Sequence, residues 1–170
     1  MSARKIIVEK YNPQWKDDFY TIKKEIVQVV ANIITTIEHV GSTSVEGLSA
    51  KPIIDIDIVI SDESVLPDVI EKLASIGYLH EGDLGIKDRE AFRYSGKIHL
   101  RAHHLYVCPQ SSVALHQHIT FRDYLRSHPE AVAEYSSVKE EAAMLFPENI
   151  EAYMQHKAPC IEKLYKACGL

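Results

Sequence analysis

The sequence predicts an α+β fold, in which helices cover one face of a mixed β-sheet and further helices make up the C-terminal third. Three observations predict it: an amphipathic stripe near the N-terminus, short β-branched segments through the middle, and helical stripes from residue 112 onward. A chain of 170 residues suits one buried core, so we predict a single domain over residues 1–170.

The N-terminal elements follow from periodicity. A short extended segment over residues 6–8 precedes a helix that opens at Pro13 and places an apolar side chain at every third or fourth position. Residues 34–40 are rich in Thr and Ile, which is typical of a strand. Residues 52–60 form the next strand, and its isoleucines predict a central position, covered by helices on the isoleucine side and open on the aspartate side.

Later elements alternate between turn signals and periodic segments. A helix follows the capping residues 61–64 and ends at Gly77. Antiparallel strands are predicted over residues 78–81, 91–95 and 100–107, with a charged loop over 82–90. Helices are predicted over residues 112–126, 129–145 and 149–166.

Composition excludes several classes of protein. With 46% hydrophobic and 25% charged residues, the chain is typical of a soluble globular protein. It has no apolar run of roughly 18 residues and no signal-peptide pattern, so we expect no membrane association and a cytoplasmic location. Cys108, Cys160 and Cys168 lack the spacing of a disulfide framework or zinc site. A formal net charge of −5 argues against extensive nucleic-acid binding.

Asp55 and Asp57 stand two residues apart within the predicted strand over residues 52–60. Side chains at i and i+2 of a strand point the same way, so both carboxylates share one face. Such close like charges are unfavourable unless a proton or cation lies between them, which predicts a divalent metal, Mg²⁺ or Mn²⁺. The simpler alternatives are a solvated strand face and a structural ion pair with Arg93 and Lys51.

A Gly-Ser turn at Gly41 and Ser42, followed by Thr43, ends the strand before the aspartate pair. Its backbone N–H groups and hydroxyls suit a phosphate that the same metal contacts. Turn and aspartates together predict a site for a nucleoside triphosphate, with Lys51 and Arg93 neutralising the phosphates. The simpler alternative is an ordinary turn.

Two acids on a strand behind a Gly-Ser turn resemble the nucleotidyltransferase superfold. That resemblance implies metal-dependent transfer of a nucleotidyl or phosphoryl group. The more specific resemblance is to the bacterial GrpB-like family, whose members also occur fused behind dephospho-CoA kinase. The segments that carry it, spread over almost the whole chain, are HVGSTSVEGLSAKPIIDIDI, DREAFRY, RAHHLYV and FRDYLRSHP.

The superfold carries a third acid on a neighbouring strand, whereas the matching strand here, residues 99–107, supplies histidine. If alternate residues of that strand face the helices, His104 shares the open face with the aspartates, and His103 is the alternative. We therefore predict Asp55, Asp57 and His104 as catalytic and metal-binding residues. Imidazole favours Mn²⁺, Zn²⁺ or Fe²⁺ over Mg²⁺ and also serves as a base near neutral pH.

Three functions stay open at this point. The leading expectation is a metal-dependent enzyme that moves a nucleotidyl or phosphoryl group from a nucleoside triphosphate to an unknown small acceptor. The missing third acid favours a degenerate module that binds a nucleotide or metabolite without turnover. The family's fusions suggest a partner domain linked to coenzyme A metabolism. The residues leave homodimer formation open, and His116 and His118 are interpreted as structural.

Overall fold

The computed structural model describes residues 4–170, which contain five helices and five strands. The helices are α1 (Gln14–Val30), α2 (Leu66–Ala74), α3 (Val113–Ser127), α4 (Pro129–Leu145) and α5 (Ile150–Ala167). The strands are β1 (Thr36–Val40), β2 (Ile54–Ile60), β3 (Leu79–Gly82), β4 (Glu90–Arg93) and β5 (His103–Pro109). Each lies within a few residues of its predicted range. Within the described chain, residues 6–8 form no strand, and Glu9 instead pairs with Ala50 in a single bridge.

The five strands form one sheet in the order β1-β2-β5-β4-β3. β2 and β5 are parallel and every other neighbouring pair is antiparallel, which confirms the predicted mixed sheet. The register places Asp55 opposite His104 and Asp57 opposite Tyr106, so these four side chains share one face. On the other side of β2, Val40 lies opposite Asp55, which brings the turn after β1 next to the aspartates.

The core lies on the isoleucine face of the sheet, as predicted. Trp15 and Ile22 of α1 and Leu73 of α2 are fully buried in one cluster with Ile56 and Ile58 of β2. Each large apolar side chain buried in this way contributes about 1.5–3 kcal/mol. This layer therefore fixes β2, and with it the direction in which the two aspartates point.

The aspartate face is open only in part. Near Asp55 it is exposed to solvent, as the sequence predicts, whereas beyond Asp57 it is covered by α3. Val59, Cys108 and Leu115 form a small buried cluster there. The prediction of an open aspartate side is thus wrong beyond Asp57, because Val59 is apolar on the same face and needs a covering helix.

The C-terminal third is helical, as predicted, and it fixes the segment between β1 and β2. Val45 and Leu48 of that segment are buried against side chains of α3, α4 and α5. The Ser49 backbone N–H donates to Ser136 Oγ at 3.0 Å, and Ser49 Oγ donates to Glu140 Oε1 at 2.5 Å. α4 therefore lies directly beside the Gly-Ser turn.

No helix in residues 4–170 combines the length and the apolar character that crossing a bilayer demands.

The three cysteines are free. Cys108 and Cys160 are buried thiols and Cys168 is half-buried. Burial raises the pKa of the Cys108 thiol to about 12, so this group stays protonated and unreactive.

Candidate active site

Asp55 and Asp57 project from the same face of β2, and each has its own imidazole partner. His104 Nδ1 donates to Asp55 Oδ1 at 2.8 Å, and His118 Nδ1 donates to Asp57 Oδ2 at 2.6 Å. Asp57 is fully buried, whereas the Asp55 side chain is 32% exposed. Because an ionised carboxylate only accepts, Nδ1 carries a proton in both rings.

The structure distinguishes the two histidines that the sequence offered on β5. His104 shares the aspartate face, as alternation predicts, and its side chain is 53% exposed. His103 points to the opposite side and is buried, where Nδ1 donates to Arg101 O at 2.7 Å and Nε2 accepts from Tyr78 Oη at 2.7 Å. Burial lowers the pKa of His103, so this ring is a neutral structural group.

The free oxygens of the two aspartates fit a divalent metal. Asp57 Oδ1 is buried and has no hydrogen-bond partner within the described chain, which is unfavourable for a carboxylate oxygen unless a cation is bound. Residues 4–170 contain no group of three His, Cys, Asp or Glu side chains arranged to hold a metal ion. A metal held here would have at most these two carboxylates as protein ligands, and the divalent metal stays a prediction. His104 as a third metal ligand stays a prediction.

Gly41 is required by its contact with Asp55. Its φ of 71° lies in the left-handed region, and a Cβ at this position would lie 2.9 Å from Asp55 Cγ and closer still to Oδ2. Only glycine allows both this backbone and this approach. The turn therefore touches the carboxylate directly, as the combination of turn and aspartates predicts.

Ser42 points from the turn toward a lysine that the sequence analysis did not identify. Lys139 Nζ of α4 donates to Ser42 Oγ, and it lies 3.3 Å from Ser49 O and 4.3 Å from the Tyr135 ring centroid. The Lys139 residue is 3% exposed. A nearly buried ammonium thus lies beside the predicted phosphate-binding turn.

Lys51 and Lys157 complete a cluster with Lys139, called the lysine cluster below. Both ammonium groups lie near the Tyr153 ring, with Nζ at 5.7 Å for Lys51 and 4.3 Å for Lys157. Burial, together with the neighbouring lysine charges, lowers the pKa of Lys139 to about 7, and that of Lys157 to about 8. The Asp55 charge acts in the opposite direction and raises the pKa of Lys139, so Asp55 is close enough to Lys139 for the two charges to interact.

The remaining predicted residues are placed differently. Thr43 Oγ1 is bonded to His39 Nε2 at 2.9 Å, so its side chain points away from the lysine cluster. Arg93 is exposed on the aspartate side of β4 and lines a cavity of about 300 Å³ with His104. Among the described residues neither Arg93 nor Lys51 forms an ion pair with an aspartate, so the interpretation as a structural ion pair does not explain the aspartates.

Sequence reasoning missed Lys139 and Lys157, and it interpreted His118 as structural without predicting its contact with Asp57. The two lysines carried a signal, because each follows a buried tyrosine by four residues, Tyr135 in α4 and Tyr153 in α5. A lysine at that spacing lies on the apolar stripe of its helix. Lysine is rarely buried there without a partner, so such a lysine is a candidate functional residue. His118 lies on α3 and carried no comparable signal.

The fold and the site together define the class. A mixed sheet with a Gly-Ser turn beside an Asp-x-Asp strand is a nucleotidyltransferase-like fold, and solved structures support that assignment. The Cid1 poly(U) polymerase, in its H336N mutant bound to MgATP, matches with a TM-score of 0.55 over 76% of this chain and 41% of that chain. The sequence identity of that match is 9%, so the similarity concerns the fold alone.

The chain belongs to the GrpB family. The family model described as GrpB protein matches residues 5–167. The crystal structure of the conserved protein GrpB from Enterococcus faecalis matches with a TM-score of 0.83 and 31% identity, over 95% of this chain and 96% of that chain.

Two curated relatives are longer than this chain. The UPF0157 protein YqkA of Bacillus subtilis is 35% identical over 154 residues, which are 91% of this chain and 44% of that protein. A dephospho-CoA kinase of Mycolicibacterium paratuberculosis is 24% identical over 178 residues, which are 91% of this chain and 44% of that protein. The chain thus spans less than half the length of either relative.

Proposed function

We propose that this protein is a metal-dependent nucleotidyltransferase that moves a nucleotidyl group from a nucleoside triphosphate to a small acceptor. One observation carries the proposal: Lys139 of the lysine cluster contacts Ser42 and interacts with the charge of Asp55, and none of the three lysines has a carboxylate within salt-bridge distance in residues 4–170. Burying ammonium groups without counter-charges is unfavourable. A bound polyanion relieves that cost, and a triphosphate has the required charge.

The terminal phosphates bind between the Gly-Ser turn and the lysine cluster in this proposal. Ser42 Oγ and Lys139 Nζ already contact each other, and both reach the same phosphate oxygens. Lys51 and Lys157 neutralise the charge of the leaving pyrophosphate. Gly41 keeps the turn close to Asp55, which sets the α-phosphorus next to the aspartates.

Asp55 and Asp57 would hold the divalent metal, which would supply positive charge to the phosphate oxygens and lower the pKa of the acceptor hydroxyl. The acceptor oxygen forms a bond to the α-phosphorus, and the bond from that phosphorus to the bridging oxygen breaks. Pyrophosphate carries away the bonding electrons. His104 takes the hydroxyl proton on Nε2, because its other ring nitrogen, Nδ1, donates to Asp55.

The acceptor enters from the β4 side of the aspartates. The cavity there, of about 300 Å³, is lined by His104, Tyr106 and Arg93, and it lies on the opposite side of the aspartates from the turn. Arg89 stacks its guanidinium 4.3 Å from the Tyr106 ring centroid. A volume at the lower limit of ligand pockets supports a small acceptor rather than a polymer.

Pyrophosphate release tests the transfer step. Wild-type protein with Mn²⁺ or Mg²⁺, each of the four nucleoside triphosphates and a panel of small hydroxyl and amino acceptors is expected to release pyrophosphate. The D55N variant loses the release by at least about a hundredfold because one metal-binding carboxylate is gone. Release that persists in D55N, or that needs no metal, contradicts the proposal.

One observation favours a second candidate, a module that binds a nucleotide without turnover. Both aspartates are already engaged by histidines, and the described residues supply no third acid at the site. In that case nucleotide binding is retained in D55N and no acceptor gives pyrophosphate release. The similarity to a dephospho-CoA kinase suggests that such a binding module works alongside coenzyme A enzymes. It does not suggest which nucleotide the module binds.

A further inference from the structure

A second cavity, of about 690 Å³, runs along the outer edge of β1. β1 is the edge strand of the sheet, and side chains of α1 and α3 form the walls on either side of it. This surface, the β1 groove below, is defined by Lys16, Tyr20, Lys23, Glu38, Arg122 and Arg126. Neither aspartate and no member of the lysine cluster lines it, and its volume is typical of ligand sites.

One arginine of the β1 groove is neutralised and the other is not. Arg122 donates from Nη1 to Glu38 Oε2 at 2.7 Å and from Nε to Asp123 Oδ1 at 2.9 Å. Arg126 donates from Nε and Nη2 to one backbone oxygen, Ser44 O, at 3.0 and 2.8 Å. Because no carboxylate of residues 4–170 lies within salt-bridge distance of Arg126, its charge and its other N–H groups are available to a ligand.

Two lysines add to this charge. Lys16 and Lys23 lie seven residues, or two helical turns, apart on the same side of α1. Neither pairs with a carboxylate of the described residues. Glu46 is the other acid that lines the groove. The residues that line the groove comprise four cations and two acids, a formal net charge of +2, which favours binding of a phosphate monoester with its charge of close to −2.

The groove also carries aromatic surface. The Phe19 ring stacks on the His39 ring with centroids 4.6 Å apart and an interplanar angle of 11°. Tyr20 lies at the rim and is 53% exposed. Burial and the neighbouring arginines lower the pKa of His39 to about 4, so this ring is neutral and adds no charge. A planar ring on a ligand therefore has an exposed tyrosine to stack against.

We propose that the β1 groove is a second ligand site, which binds a small phosphate monoester carrying an aromatic ring, of the nucleoside monophosphate class. Arg126, Lys16 and Lys23 hold the phosphate, and Tyr20 stacks on the ring. Arg126 also holds Ser44 O, in the short helical turn that contains Ser42. The ligand therefore lies on one side of this turn, and the proposed triphosphate site lies on the other side.

Amide NMR titration with adenosine 5′-monophosphate, in the absence of metal, tests the proposal. The probe is expected to shift the amide signals of residues 36–39 and 43–46, whereas adenosine without its phosphate is not. The K16Q/K23Q variant, altered only on the surface of α1, weakens this binding by about tenfold or more, as one lost charge-assisted contact does. The R126Q variant gives the same result if it stays folded.

The K139Q variant separates this proposal from the proposed function. It removes the lysine cluster's central charge but leaves the groove intact, so the shifts at residues 36–39 are expected to persist with unchanged affinity. The groove proposal is overturned if these signals do not move, if K16Q/K23Q binds as well as wild type, or if K139Q alone removes binding. If adenosine 5′-monophosphate binds in the groove but no triphosphate binds elsewhere, the groove proposal is supported and the proposed transferase function is contradicted.

Discussion

The two aspartates differ in how much each depends on its histidine. Asp57 is fully buried, with Oδ2 bonded to His118 and Oδ1 without a partner, whereas Asp55 is partly exposed and bonded to His104. Solvent compensates for a lost partner at Asp55 but not at Asp57. His118 is therefore a positioning residue for Asp57, and His104 is the histidine available to a substrate.

The first prediction compares the two histidines. H118A leaves a buried carboxylate unpaired and is expected to lower the free energy of unfolding by about 3 kcal/mol or more. H104A, at an exposed pair, changes it by less than about 1 kcal/mol while abolishing transfer. Chemical denaturation and a pyrophosphate assay measure both effects. Equal destabilisation by the two variants would contradict the assigned difference in burial.

The second prediction concerns the turn. G41A forces a left-handed backbone on alanine and places its Cβ against Asp55, so it is expected to destabilise the protein and to remove triphosphate binding. G82A is the matched control, because Gly82 has a φ of 83° and no atom within 4 Å of an added Cβ. G82A costs about 1–2 kcal/mol and keeps binding. Calorimetric binding retained in G41A would show that the turn does not contact the ligand.

Alternation along strands predicted the residues that now lie side by side. The period of two placed Asp55, Asp57 and His104 on one face, and the structure confirms that placement, while their catalytic roles stay predictions. Lys139 and His118 were beyond this reasoning, because each comes from a helix far along the chain. Which helix covers which part of a sheet depends on packing between elements distant in sequence.

Helix α5 continues through a proline. Pro159 lies inside α5 and is exposed, and the helix runs unbroken from Ile150 to Ala167, as the predicted range of 149–166 implies. Proline lacks the N–H that would bond the preceding turn and crowds it. The apolar stripe that buries Tyr153 and Leu164 is what holds this helix together.

The third prediction follows from that geometry. P159A restores a backbone hydrogen bond and loses no buried contact, so the free energy of unfolding is expected to rise by about 1–3 kcal/mol. Urea denaturation measures it. The neighbouring exposed residue Ala158 provides the control in A158S, which is expected to change stability by less than about 1 kcal/mol. A loss of stability in P159A would mean that the proline sets a bend on which Lys157 depends.

Helices and strands were predictable from period and turn signals, but their arrangement was not. Three strands were expected to be antiparallel and are, yet the parallel pairing of β2 with β5 follows from contacts between segments more than forty residues apart in sequence. The apolar stripes likewise predicted the ranges of α3 to α5, but they did not predict which part of the protein each helix packs against. The single domain predicted over residues 1–170 stays a prediction.

At the scale of the whole molecule, a chain with a net charge of −5 concentrates unpaired cations in two places, the lysine cluster and the β1 groove. The lysine cluster links stability to pH. The pKa of Lys139 is lowered from 10.5 to about 7 by folding, so between these pH values the unfolded chain binds more protons. The free energy of unfolding therefore rises with pH in this window through Lys139, and below about pH 7 its full unfavourable contribution is present.

The fourth prediction tests that linkage. K139M removes the buried charge and is expected to raise the free energy of unfolding at pH 7 by about 1–3 kcal/mol, with a smaller gain at pH 10. K163M, at an exposed lysine paired with Glu134, is the control and changes little. Denaturation at the two pH values measures this. A K139M variant less stable than wild type at pH 7 would show that the ammonium is satisfied within the protein.

Isothermal titration calorimetry of each nucleoside triphosphate with Mn²⁺ at pH 8, in two buffers of different ionisation enthalpy, tests whether the lysine cluster binds a triphosphate. Because the pKa values of Lys139 and Lys157 are about 7 and about 8, a bound triphosphate is expected to draw protons onto them. We expect binding of at least one triphosphate with net proton uptake, and an affinity lowered about tenfold or more in K139Q. Absence of binding for all four, or binding in K139Q with wild-type affinity and proton uptake, would contradict it.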